Sequence, residues 1–255
     1  MKKYTRQSAR FYDSLASYYD DMISFNQALS KRTTHLSSFV NPAVMAADFG
    51  CGTGLDSVAM AMLGAKVSAF DYSEDMLKQA KKNSRKYNQK IDFYNSSIDK
   101  IPKNFHNKFD LIISLGNTLA NLDTSQLRKT FRKAADMLKA KGVFVLQILN
   151  YERIINSAER IVKITDENNI FIVRFYDFLS TGARFNILRF SGNKPHEYSL
   201  ITTKIFMHSL RQLKQCLENS GFYKIKTFGN LDMEKFQNKT SHDLVIIAEK
   251  KINNR

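Results

Sequence analysis

Ala46-Ala47-Asp48-Phe49-Gly50-Cys51-Gly52-Thr53-Gly54 sets three glycines at every second position directly behind an apolar run. Val44 to Phe49 reads as a buried strand, after which Leu55, Val58, Ala59, Met62 and Leu63 recur at helical spacing until Gly64 stops them. Strand, glycine turn and helix in that order make a βα unit. Glycine in such a turn permits dihedrals or approach distances that a Cβ forbids. The helix behind it offers free N–H groups to a ligand. A tight strand-to-helix connection alone also explains glycines, so a second signal is needed to separate packing from binding.

That signal lies in the next unit. Lys66 to Phe70 is a second strand, followed by Ser73 as N-cap with Glu74 and Asp75 in the first helical turn, where acids suit the helix dipole. Asp71, about twenty residues beyond the glycines, ends that strand where a carboxylate can accept hydrogen bonds from both ribose hydroxyls of an adenosine ligand. The dinucleotide fingerprint is G-x-G-x-x-G, whereas this turn is G-x-G-x-G preceded by Asp48, and that spacing disfavours NAD.

Ile91 to Tyr94 and Phe109 to Ser114 read as third and fourth strands. Leu127, Phe131, Ala135 and Leu138 form a helical stripe ended by Gly142 before a fifth strand, Val143 to Leu149. Five βα-type units predict an α/β fold with a doubly wound parallel sheet. The rhythm then changes. Phe171 to Phe178, Ala183 to Phe190 and Tyr198 to Phe206 read as consecutive strands separated by turn residues, which predicts an antiparallel insertion over residues 150–208. Leu210, Leu213, Cys216 and Leu217 return to a helix, and Phe222 to Phe228 with Leu244 to Glu249 supply two last strands. No linker separates a second domain, so residues 1–255 are expected to form one domain with a helical cap over residues 1–40.

Composition narrows the function classes. The chain has 255 residues, 43% of them apolar, and no apolar run approaches the ~20 residues that cross a bilayer. A cytoplasmic protein without a membrane partner is expected. Two cysteines, Cys51 and Cys216, make neither a disulfide framework nor a metal cluster, so no metal site is expected. The net charge of +15 raises a polyanionic partner such as RNA, but the lysines are dispersed along helical stretches and no Arg/aromatic platform interleaves them.

"ADFGCGTG" followed by "FDYS" resembles the motif of the class I S-adenosylmethionine-dependent methyltransferases. The resemblance extends over nearly the whole chain. "FYDSLASYYDDM" is similar to the segment that precedes the core in small-molecule members, "NSSIDKIP" falls where such enzymes hold adenine, and "FDLIISLGNTLANL" and "LKAKGVFVLQILNY" match the fourth and fifth strands. It implies a Rossmann-like seven-stranded sheet, mostly parallel with the last strand antiparallel. It also implies S-adenosyl-L-methionine as cofactor and S-adenosyl-L-homocysteine as product. By that resemblance Gly50, Cys51, Gly52 and Gly54 line the methionine and ribose portion with Asp48 supporting the loop, and Asp71 binds the ribose. Tyr72, Ser97 and Ile98 surround adenine, Ser97 standing where many relatives carry Asp. Leu115 and Gly116 run beside the methionine portion, and Tyr12 and Tyr19 are candidates to cover the cofactor or to pack the cap on the core.

Several acceptor classes are discounted by what is missing. The Asp/Asn-Pro-Pro-aromatic motif of amino-methylating nucleic-acid enzymes is replaced by "SLGNT", and no Pro-Cys nucleophile occurs. "LGNTLANL" with "ILNYERI" resembles the glycine and sarcosine N-methyltransferases but lacks the Arg before Asn-Tyr. The expectation is methyl transfer to nitrogen or oxygen of a small molecule, with an RNA methyltransferase as the alternative and a monomer or homodimer as the assembly. The fifth strand ends on the cofactor side, so the insertion can form a lid. Asn150, Tyr151, Arg174 and His208 are the candidate catalytic residues, with Tyr176 and Arg184 beside them; an arginine there can hold a carboxylate or phosphate.

Overall fold

The computed structural model describes residues 2–252; Met1 and residues 253–255, the two ends of the expected single domain, lie outside the described residues. Three helices come first, α1 (Lys2–Leu15), α2 (Tyr19–Ile23) and α3 (Phe25–Leu36). The alternating core follows: β1 (Met45–Phe49), α4 (Leu55–Met62), β2 (Lys66–Asp71), α5 (Glu74–Lys86), β3 (Ile91–Asn95), β4 (Phe109–Ser114), α6 (Thr124–Met137) and β5 (Leu138–Leu149). After α7 (Tyr151–Ser157) come β6 (Ile161–Glu167), β7 (Ile170–Phe178), β8 (Ala183–Ser191) and β9 (Lys194–Ile205). α8 (Leu210–Glu218), β10 (Phe222–Phe228) and β11 (Asp243–Lys250) close the chain.

The seven-stranded sheet has the order β10-β11-β5-β4-β1-β2-β3, parallel except for β11, which runs antiparallel to both neighbours. This is the sheet the sequence predicts. β1 and β4 lie at its centre, buried on both faces, which is why they read as nearly unbroken apolar runs. Phe49 of β1 packs edge-on against Phe70 of β2 at 6.1 Å, and Phe131 of α6 edge-on against Phe144 of β5 at 5.7 Å. Ser73 caps α5 by accepting from the Met76 N–H at 3.2 Å, and Gly64 stands just past α4 with φ +92°.

Three boundaries differ from the sequence reading. β5 starts at Leu138, not Val143: Leu138 pairs with Phe109, and its full burial fits a helical stripe and a strand equally well. Gly142 therefore lies inside the strand, where a Cβ would sit 2.9 Å from the Lys139 carbonyl oxygen. β3 connects to β4 through two short 3-10 turns, Ile98–Lys100 and Lys103–Phe105, in place of a helix. The insertion is a separate four-stranded antiparallel sheet, β6-β7-β8-β9, not three strands. Its register puts Ile172, Arg174, Tyr176 and Phe178 on one face with Ala183, Phe185 and Ile187. That inner face meets α1, where Phe11 and Leu15 pack with Ile172 and Ile187. Among the described residues, no helix is long and apolar enough to cross a membrane.

Candidate active site

The three glycines of the turn turn out to serve different ends. All adopt left-handed dihedrals, with φ of +75° at Gly50, +53° at Gly52 and +86° at Gly54. A Cβ on Gly50 would fall 2.3 Å from the Thr118 methyl, and one on Gly54 would meet Ala80 at 3.1 Å. Those two glycines are required by the protein's own packing. A Cβ on Gly52 would meet no heavy atom within 4 Å, and the same holds for Gly116 in the loop after β4. Gly52 and Gly116 thus present bare backbone to open space at the carboxyl ends of β1 and β4, where ligands of such sheets bind.

Asp71 ties the turn to the next unit. Its Oδ2 accepts the Gly52 N–H at 2.8 Å and its Oδ1 the Ser73 N–H at 2.9 Å. Burial pushes its carboxyl above the ordinary range, opposed by the hydrogen bonds from Ser73, Gly52 and Tyr72. Asp48 is deeper still, accepting from the Ser57 hydroxyl at 2.6 Å. Burial first, and then the charge of Asp56, holds its carboxyl well above the usual value. Asp56 in turn pairs with Arg32 of α3 at 2.5 Å, joining the N-terminal helices to the first turn of α4. Burial, and then Asp71, raises the Cys51 thiol well above its ordinary range.

The loop after β4 is held from β5. Gln147 Oε1 accepts the Gly116 N–H at 2.7 Å. Asn117, with φ +67°, accepts the Leu149 N–H at 3.1 Å and donates to the Tyr151 hydroxyl at 2.7 Å. Leu115 is buried beneath them. Asn117, Gln147 and Asn121 were not singled out by sequence reasoning; the available signal was the Gly-Asn pair, since Asn is the residue after Gly that best tolerates a left-handed backbone.

Tyrosines from the cap, the core and the insertion converge above this loop. Tyr12 and Asn121 share a hydrogen bond, with the amide donating at 3.0 Å. Tyr12 stands within electrostatic reach of Tyr19, Asp71 and Tyr176, and Tyr151 within reach of Tyr176 and Tyr12. Burial is the main reason all four phenols are raised, Tyr176 to about 12. Arg174, on the inner face of the insertion, faces Tyr19 and Tyr176, and burial lowers its guanidinium. Its Nε is shut off from solvent and has no hydrogen-bond acceptor among the described residues.

Other residues singled out by sequence stand elsewhere. Asn150 caps α7, and its amide donates to the carbonyls of Asn238 at 2.8 Å and Ser241 at 2.9 Å. His208 is buried with Nε2 2.9 Å from the Leu122 carbonyl, and burial lowers its imidazole, opposed by bonds to Leu122, Gln212 and Leu119. Both tie the ends of the insertion to the core. Ser97 precedes the turn Ile98–Lys100, with Ile98 buried, and Tyr72 meets the Tyr12 ring edge-on at 6.4 Å. Arg184 is exposed on the opposite face of β8 from Ile187. Among the described residues no group of three His, Cys, Asp or Glu side chains is placed to hold a metal ion.

Comparison with known proteins agrees with this geometry. Residues 46–142 match the family model described as a methyltransferase domain. Human glycine N-methyltransferase is 32% identical over 124 residues, a match covering 43% of this chain and 42% of that protein. The glycine/sarcosine N-methyltransferase of Parasynechococcus marenigrum strain WH8102 is 25% identical over 209 residues, covering 80% of this chain and 70% of the relative. An S-adenosylmethionine-dependent methyltransferase from Clostridium acetobutylicum superposes with TM-score 0.77 at 19% identity, over 94% of this chain and 99% of that one. The match to the human enzyme thus spans less than half of that relative's length. Glycine turn, sheet order and superposition give the chain the fold of the S-adenosylmethionine-dependent methyltransferase class, and residues 46–142 match a methyltransferase domain. In sequence it resembles the glycine/sarcosine N-methyltransferases.

Proposed function

We propose that the protein methylates nitrogen or oxygen of a small molecule that carries a carboxylate. The observation behind this reading is Arg174, whose buried Nε lacks an acceptor among the described residues while its guanidinium lies within electrostatic reach of Tyr19 and Tyr176. A partly buried cation with an unused, solvent-free donor is costly unless an anion meets it, and a planar guanidinium suits a carboxylate best. Asp71 and the bare backbone of Gly52 and Gly116 would hold the cofactor, with Tyr72, Ser97 and Ile98 at its adenine. S-adenosylmethionine supplies an already activated methyl group, so the chain has to align the acceptor, exclude water and strip charge from nothing else.

Four raised phenols act in this scheme as neutral donors and walls, not as bases. An amine acceptor must therefore arrive unprotonated, and the rate should rise with pH until the free amine predominates. Tyr151, held by Asn117, would line the acceptor space, while Asn150 and His208 act through the fold. Arg174→Met tests the reading: the acceptor KM should rise at least tenfold with the cofactor Kd unchanged. An unchanged KM would remove Arg174 from the acceptor site.

A further inference from the structure

The insertion has a second face, and it is apolar too. Register places Ile164, Val173, Leu188 and Leu200 in one row across the four strands. Asp166, Phe171, Phe190 and Tyr198 form the next row, apolar except at its edge, with the Phe171 and Phe190 rings stacked at 5.2 Å, and Ile161 stands opposite Phe175 beyond the first row. An antiparallel sheet with only one covered face ordinarily alternates apolar inside with polar outside. This one does not. Tyr198 is 64% exposed, Ile161 60%, Ile164 56% and Leu200 50%. None of these nine apolar side chains packs into any of the buried apolar clusters of the protein.

We propose that this face is the interface of a homodimer, packed sheet on sheet against the same face of a second copy. Self-association needs a self-complementary surface, and a flat face whose central row is wholly apolar meets its own two-fold image without opposing like charges. That matters for a chain of net charge +15, whose copies repel elsewhere. These two rows carry one acid, Asp166, and no cation, and Arg184 and Lys204 lie toward the far end of the face, so a polyanion finds no basic centre here. Area is compatible: covering the exposed parts of Tyr198, Ile161, Ile164 and Leu200 in both copies alone removes on the order of 1,000 Å², close to the ~1,200–2,000 Å² of stable interfaces. Stacked sheets would lie about 10 Å apart. The inference is independent of the proposed acceptor, although the face opposite the interface carries Arg174 and Tyr176.

Sedimentation velocity on the full chain between about 1 and 50 µM is the test. A species of twice the 29.4 kDa chain mass is expected, persisting in 0.5 M salt because apolar burial is not screened. Leu200→Glu, and separately Tyr198→Asp, should each raise the dimer dissociation constant at least 100-fold, with far-UV circular dichroism and S-adenosylmethionine affinity unchanged; both sites are half-exposed in the single chain, so both variants fold. A wild-type monomer at 50 µM would overturn the proposal. So would a dimer that survives both substitutions, or wild-type monomers that pellet with phosphatidylglycerol vesicles through this face.

Discussion

The glycine turn and the inner face of the insertion would prepare for the proposed cofactor and acceptor in opposite ways. The turn does so with backbone: three left-handed glycines, two of them fixed by contacts at Thr118 and Ala80, and one carboxylate that takes two N–H groups. The insertion does so with side chains on alternate strand positions, Arg174 and Tyr176, packed against tyrosines from elsewhere. A backbone site is set by few residues close in sequence and tolerates little change. A side-chain site can be altered one position at a time without disturbing the fold, which is the property needed where substrates differ and the cofactor does not.

Substitutions should separate the two regions by what they damage. The largest effect belongs to Gly50→Ala, where a left-handed backbone costs ~1–2 kcal/mol and the clash with Thr118 ~1–3 kcal/mol more. Urea unfolding should show the lower midpoint, and adding Thr118→Ser should return the steric part only. Gly52→Ala sharpens the contrast, since only the backbone cost applies to stability while S-adenosylmethionine affinity, read by calorimetry, should still collapse.

Asp71→Asn comes next, with cofactor affinity falling about 10- to 100-fold, as for loss of charge-assisted bonds of ~1.5–3 kcal/mol. The pH dependence carries a sign. Asp71 is raised by burial, so its charged form is lost at a higher pH than an ordinary carboxylate as acid is added. Cofactor affinity should weaken on that early acid flank, and Asp71→Asn should remove the flank. Stability moves the other way: a raised carboxyl binds its proton more tightly folded than unfolded. The contribution of Asp48 and Asp71 is therefore fullest in acid and is lost as pH rises through the ordinary range to their raised values. The smallest effect is expected for Tyr12→Phe, about 0.5–1.5 kcal/mol from the Asn121 bond, measurable in thermal unfolding.

The backbone region was the more legible in the sequence, for a physical reason. Glycines, the Ser73 cap and the runs of β1, β2 and β4 act through local geometry and continuous burial, both of which leave a mark at fixed spacing. β6 left none: Ile161, Lys163, Ile164 and Asp166 are all exposed at a sheet edge, so no buried face imposes alternation. Leu138 served helix and strand patterns alike, which hid the early start of β5. The union of Tyr12, Tyr151 and Tyr176 depends on a sheet folding back over the core, and no spacing between positions 12, 151 and 176 encodes it.

Transfer of methyl label from S-adenosylmethionine, run with wild type and Arg174→Met against small carboxylated amines and hydroxy acids and against total RNA, tests the central claim most directly. The account predicts label in the small-molecule pool, lost or shifted to high acceptor concentration in Arg174→Met, with cofactor binding equal in the two proteins. Label in RNA, or small-molecule transfer indifferent to Arg174, would contradict it.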